Sequence, residues 1–169
     1  MDPRPKVGDE VGGGIVYNIN LQDIHESKDV RSLFMNKRVL VFGGPAPFSR
    51  LDTQQAKEYA EFGQALLDAN LDFVYGIYCQ DAFVMKEFDK KIREDFPNHK
   101  VDFFGDGDGF FTRAHQLEYN FTFQGLSMRS VRYAMIVNNC IIEHVAIDEY
   151  QLIEQTSVLK ILEWLDKSK

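Results

Sequence analysis

Ser49 and Asp52 stand three residues apart where a helix-period segment begins, and both side chains can do chemistry. A hydroxyl and a carboxylate in that place can cap a helix, hold an ion or move a proton. Ser49-x-x-Asp52 has the spacing of a capping box, and Asp52-x-x-Gln55 offers a second register. Either register puts the Asp52 carboxylate in or beside the first turn. The helix dipole should stabilise it there by roughly 0.3–1 kcal/mol. The other reactive groups are scattered. Cys79 and Cys140 lie far apart, and neither belongs to a C-x-x-C pair, so a structural disulfide is not expected. His25, His99, His115 and His144 lack metal-ligand spacing, and neither a metal nor a cofactor is expected. Asp106-x-Asp108-Gly109 hints at a calcium loop. Phe104 and His115 stand where that loop needs acids, so a tight turn is the better reading. A serine hydrolase would need a G-x-S-x-G elbow, which the chain lacks.

The elements that must position Ser49 and Asp52 can be read from periodicity. Residues 39–42 are an apolar run long enough for a buried strand. Gly43-Gly44-Pro45-Ala46-Pro47 then breaks it. Beyond the break, Ala56, Tyr59, Phe62, Gly63, Leu66 and Leu67 fall on one helical face. Residues 71–78 make a second apolar strand, parallel to the first, and Cys79 ends it on the edge that carries the Asp52 loop. Asp81 opens another helix, which stops at Phe96-Pro97. A short strand over 101–104, a tight loop over 105–109 and a weak helix over 110–119 follow. Residues 131–137 and 140–147 read as a hairpin around Asn138-Asn139, with His144 on the face of Ile142 and Ala146. Residues 156–167 form a last helix, with Trp164 off its apolar stripe. Upstream, residues 1–14 read as an arm with little structure of its own. Residues 15–21 read as an edge strand, and 23–34 as a loop or short helical turn. The whole describes an α/β, thioredoxin-like sandwich: a mixed central sheet with helices on both faces. The arm and a single domain over 15–169 account for the chain.

Composition limits the function classes. Net charge is −7, which argues against nucleic acid and anionic membranes as partners, since both call for a basic patch. No run approaches the about 18 apolar residues of a spanning helix. The opening MDPRPKVGDE carries no apolar signal core. A cytoplasmic location is the expectation.

Residues 41–53, VFGGPAPFSRLDT, resemble the active-site segment of peroxiredoxins, specifically the short type-five subfamily. That pattern is an apolar strand followed by P-x-x-x-T-x-x-C, with an aromatic before the Thr. Pro45, Phe48 and Ser49 match it, Ser replacing Thr, and Asp52 stands at the peroxidatic cysteine position. Further matches follow in order. Asp81-Ala82-Phe83-Val84 resembles the opening of the next helix in that subfamily. Residues 105–110 resemble its D-x-x-G-x-F loop. Residues 132–137 resemble the strand that carries its active-site arginine, here Arg132. Lys6-Val7-Gly8-Asp9 resembles its usual start. Arg50 and Leu51 depart from the usual Pro and Thr.

The resemblance implies the fold and a set of site residues: Pro45, Ser49, Asp52 and Arg132. It implies less about activity. The family's thiolate attacks a peroxide O–O bond and becomes a sulfenic acid, and a carboxylate has no such state. The expectation is therefore a peroxiredoxin homologue without thiol peroxidase activity, kept as a binding or regulatory homodimer. Asp52 would pair with Arg132, resembling in charge and shape the sulfinate of an over-oxidised cysteine, or would serve only as a helix cap. The alternative is a thiol-dependent peroxidase that uses Cys79 and a thiol reductant. By the same resemblance the dimer would form through loops around the site, with Phe48, Asp81, Phe110 and Phe111 contributing.

Overall fold

The computed structural model describes residues 3–149 and 151–169. Among these, β1 (Ile15–Ile19), β2 (His25–Asp29), β3 (Arg38–Gly43), β4 (Phe73–Tyr78), β5 (Val101–Gly105), β8 (Arg132–Asn138) and β9 (Ile141–Asp148) form one sheet. Its order is β2-β1-β5-β4-β3-β8-β9. β3, β4 and β5 are parallel, and the remaining neighbours pair antiparallel. β6 (Glu118–Asn120) and β7 (Met128–Ser130) make a separate two-stranded ribbon.

Helices cover both faces of the sheet. α2 (Arg50–Glu61), α3 (Gly63–Asp68), α4 (Ala82–Asp95) and α6 (Val158–Lys167) lie on one side; α1 (Val30–Phe34) and α5 (Phe110–Ala114) lie on the other. This double cover explains why residues 39–42 are apolar without alternation. Leu40 and Phe42 enter the core under α2 and α4, while Val39 and Val41 enter the core under α1 and α5. Phe42 stacks on Tyr59 of α2 at 4.3 Å between ring centres and meets Tyr78 and Phe103 edge-on. The end of β3 is thereby clamped to the start of α2. This is the thioredoxin-like sandwich expected from the element order.

Several details differ from the sequence reading. Residues 25–29 form a strand rather than a loop, and β1 therefore lies inside the sheet with β2 at its edge. His25-Glu26-Ser27-Lys28-Asp29 carries no apolar residue and so gives no periodic signal; such charge is common on edge strands, where it discourages pairing with other chains. The helix after Asp52 breaks at Phe62, where Gly63 passes close to Lys100 and leaves room for no larger residue without a shift. The helix expected over 110–119 ends at Ala114, and Glu118 already belongs to β6. In the hairpin, Asn139 and Cys140 take positive φ, while Asn138 stays in β8. A bulge in β9 puts Ile142 and Ala146 in opposite cores, so His144 shares a face with Ala146 only and stacks on Trp164 at 4.6 Å.

The described part of the arm, residues 3–14, has no helix or strand beyond one bridge between Glu10 and Ile141. It is nonetheless anchored. Val11 is fully buried, and backbone hydrogen bonds tie Gly8, Asp9 and Val11 to the start of β9. Residues 1 and 2 of the expected arm lie outside the described residues.

Candidate functional site

The turn from β3 into α2 is built by close packing. Asp52 Oδ1 would lie 1.9 Å from a Cβ added at Gly44, and the carbonyl of Ile77 would lie 2.3 Å from one added at Gly43. Only glycine lets the backbone pass here. Ser49 is the N-cap of α2, with extended backbone angles and its hydroxyl accepting the Asp52 N–H at 3.3 Å. Of the two registers open in the sequence, the structure uses Ser49-x-x-Asp52.

Asp52 is fully buried, and its carboxylate is ringed by donors. Oδ2 accepts from the Ala46 N–H and the Ser49 hydroxyl, each at 3.0 Å. Oδ1 accepts from Arg132 Nη1 at 3.0 Å. Arg132, 5% exposed at the start of β8, also donates from Nη1 to Gln55 Oε1 at 2.6 Å. An ion pair this deep loses most of its hydration and persists because the other lone pairs and protons are also bonded. The ring of donors meets that need on the carboxylate side. Pro45 stands beside them: its carbonyl accepts from Arg129 at 2.8 Å, and the residue lines a cavity of about 580 Å³ shared with Arg132, Val131 and Phe121. The structure thus brings together all four residues expected at the site.

It also adds contacts the sequence did not assign. Gln55 follows Asp52 by one helical turn and donates to the Thr156 hydroxyl at 3.1 Å. Thr156 in turn donates to Asp148 Oδ2 at 2.7 Å, and Asp148 collects the N–H groups of Glu154, Gln155 and Thr156. Burial alone would raise the Asp148 pKa; the Thr156, Glu154 and Gln155 bonds outweigh it and hold it below the ordinary carboxylate value. Gln55, named in the sequence only as a capping residue, instead accepts from Arg132. Asp148 and Thr156 reach the site only through the pairing of β8 with β9, which places Asp148 opposite Arg132.

Cys79 lies just past β4 and shares a hydrogen bond with the Thr112 hydroxyl at 3.1 Å. Burial pushes its thiol up to about 11, more than the Thr112 bond lowers it. At neutral pH it is a thiol, the poor nucleophile of the two forms. Cys140 sits in the β8–β9 turn, at the far end of β8 from Arg132. Both cysteines are free. Tyr78, buried beside the ion pair, is raised well above its ordinary pKa by burial and then by the Asp52 charge, so its phenol stays neutral.

The remaining candidates are occupied elsewhere. Asp106 spends both carboxylate oxygens on the Phe111 and Thr112 N–H groups and the Thr112 hydroxyl, a tight turn rather than an ion loop. His99 bonds Asp89 at 2.7 Å, and His115 lies under the arm. Among the residues expected at a dimer surface, Phe48 and Phe110 are about half exposed, and Asp81 is exposed while capping α4. Phe111 is fully buried, stacked on Phe34, because α5 turns it into the core; it offers no surface.

No protein-family model matches the chain. Individual relatives do. Peroxiredoxin-2B of Arabidopsis thaliana is 30% identical over 134 residues, covering 79% of this chain and 81% of that protein. Peroxiredoxin y4vD of Sinorhizobium fredii is 34% identical over 146 residues, covering 83% and 70%. Among solved structures, reduced Prx3 of Vibrio vulnificus in complex with hydrogen peroxide superposes with a TM-score of 0.86 at 25% identity, covering 96% of this chain and 97% of that one. Peroxiredoxin 5 of Alvinella pompejana gives 0.82 at 23% identity, over 96% and 98%, a likeness of fold. Sheet order, helix placement and these identities agree, and the chain belongs to the peroxiredoxin family.

Proposed function

We propose that this protein is a type-five peroxiredoxin homologue in which Asp52 occupies the peroxidatic cysteine position, and that it acts as a non-catalytic binding or regulatory homodimer. One observation carries the reading: the group at the tip of α2, bonded to Ser49 and Arg132, is a carboxylate. Thiol peroxidase chemistry needs a sulfur that attacks one peroxide oxygen as the O–O bond breaks. The sulfur is oxidised to sulfenic acid and the other oxygen leaves as alcohol or water. A carboxylate has no oxidation state to offer that step. Its two oxygens and single charge instead reproduce the outline of a sulfinate, the over-oxidised form, with both oxygens bonded. Arg132 Nη1 is held by Asp52 and Gln55, in place of the thiolate and peroxide it would serve in an active site.

The expected result is that the wild type, given hydroperoxide and a dithiol, consumes peroxide no faster than the reagents alone. Asp52→Cys should turn over peroxide with the dithiol and, without it, consume one equivalent per chain and trap a sulfenic-acid probe at residue 52. Cys79→Ser should match the wild type. Wild-type turnover that disappears in Cys79→Ser would replace this reading with that of a Cys79 peroxidase served by a thiol reductant.

The proposed homodimer forms through Phe48 and Phe110, with Asp81 between them in chain order, and the proposed location is the cytoplasm. Phe48 takes a positive φ of 73° and holds its half-exposed ring edge-on to Phe88 at 5.2 Å, a conformation that points an apolar group outward from the site loop. Sedimentation should show a dimer at micromolar protein and a monomer for Phe48→Glu. A wild-type monomer would end this part of the reading.

A further inference from the structure

We propose that His115 is a pH-sensitive latch that holds the amino-terminal arm against the edge of β9. His115 Nδ1 lies 2.7 Å from the Phe111 carbonyl, which can only accept, so Nδ1 carries the hydrogen. Nε2 is then a lone pair. It accepts from the Gly12 N–H at 3.2 Å and the Gly13 N–H at 3.4 Å. A proton on Nε2 would face two backbone N–H groups and leave both without an acceptor. The imidazole is 6% exposed, so water cannot easily take over either role.

The approach is close by construction. A Cβ on Gly13 would lie 2.9 Å from the Ala114 side chain, and one on Gly14 would lie 2.9 Å from the Phe111 nitrogen. Beyond Gly12 and Gly13, the arm covers an otherwise open sheet edge. Gly8 N–H donates to the Ile142 carbonyl, Ile142 N–H to the Asp9 carbonyl, and Val11 N–H to the Cys140 carbonyl. Uncovered, these groups of β9 would be a template for pairing with another strand.

Charges of both signs surround His115 and none is bonded to it. On its own side, Arg113 bonds the Asp108 carbonyl and lies 3.6 Å from Glu118. From the arm come Arg4, bonded to the Gln116 and Glu118 carbonyls, and Lys6, Asp9 and Glu10, which line a shared cavity with His115. From α1, Arg31 pairs with Glu10 at 2.6 Å. β9 contributes the apolar Ile142. Burial lowers the His115 pKa, and the bond to Phe111 opposes this less strongly. The linkage follows: the latch is at full strength above the ordinary histidine pKa of about 6.5, weakens as pH falls below it, and is lost below the depressed value of the docked state.

The test is amide hydrogen exchange of the full chain, corrected for intrinsic rate, between about pH 7.5 and about pH 5. Protection at residues 11–13 should fall about tenfold or more while α4 amides hold, tenfold being one pKa unit of linkage. His115→Gln, which cannot titrate, should show no such fall. Unchanged protection in the wild type, or an undiminished fall in His115→Gln, would overturn the proposal. If that variant does not fold, the wild-type NMR titration decides. The Gly12 and Gly13 amide shifts must move with the His115 ring signal, and a different midpoint rejects the latch.

Discussion

Arg132→Met is expected to cost about 3–5 kcal/mol of stability, because it strands a buried carboxylate. Asp52 is fully enclosed, and two neutral donors, the Ala46 N–H and the Ser49 hydroxyl, would be left to hold its charge. Gln55 would also lose the partner of its Oε1. Asp52→Leu should be costly for the converse reason, since Arg132 already has a buried Nε without a partner among the described residues. The pair should be far from additive. Asp52→Leu with Arg132→Met removes both charges and substitutes apolar groups of similar volume, so the double variant should recover most of the loss. Urea unfolding of the four proteins measures this. Additive losses would mean that the two side chains contribute separately, and the view of the site as one neutral, closed unit would fail. The same cycle bears on the proposed function: strong coupling between the two side chains would support a lock on the helical form of the α2 start over a poised reagent.

Much of this arrangement was legible in the chain, and the limits are physical. β3, β4, α4 and α6 could be read because each has a long apolar pattern with a cap or break beside it. The Ser49-x-x-Asp52 cap was readable because capping is local: donor and acceptor lie within one turn. Arg132 could be placed only by resemblance, since it meets Asp52 across 80 positions through the register of β3 with β8. Asp148 and Thr156 gave no signal, because their role depends on one further strand pairing. β2, β6 and β7 escaped because edge strands and small ribbons are built from backbone hydrogen bonds, with no buried apolar face to impose a period of two. The bulge in β9 defeated the alternation rule at His144, since one extra residue exchanges the two faces. Phe110 and Phe111 are adjacent and alike in sequence, and only the direction of α5 decides that one is exposed and the other is core.

Gly44→Ala should be nearly as damaging as loss of the ion pair, at about 3 kcal/mol or more, although it adds a single methyl group. Gly44 does not need a positive φ, so the cost is not one of backbone conformation. It is one of space: the methyl carbon would sit 1.9 Å from Asp52 Oδ1 and 2.9 Å from Arg132 Nη1. Neither neighbour can yield cheaply. Asp52 is fixed from behind by Ser49 and Ala46, and Arg132 by Gln55. Moving the backbone instead would disturb the Ser130 hydroxyl, which donates to the Gly44 carbonyl at 3.1 Å. The control is Asp52→Ala, which deletes the oxygen that the methyl would strike. In that background only the 2.9 Å contact with Arg132 Nη1 remains, so Gly44→Ala should cost much less there than it does in the wild type. Thermal or urea unfolding reads both comparisons. If Gly44→Ala stayed within about 0.5 kcal/mol of the wild type, the carboxylate could not lie against the β3 turn as described, and the account of a sealed Asp52 would have to be withdrawn.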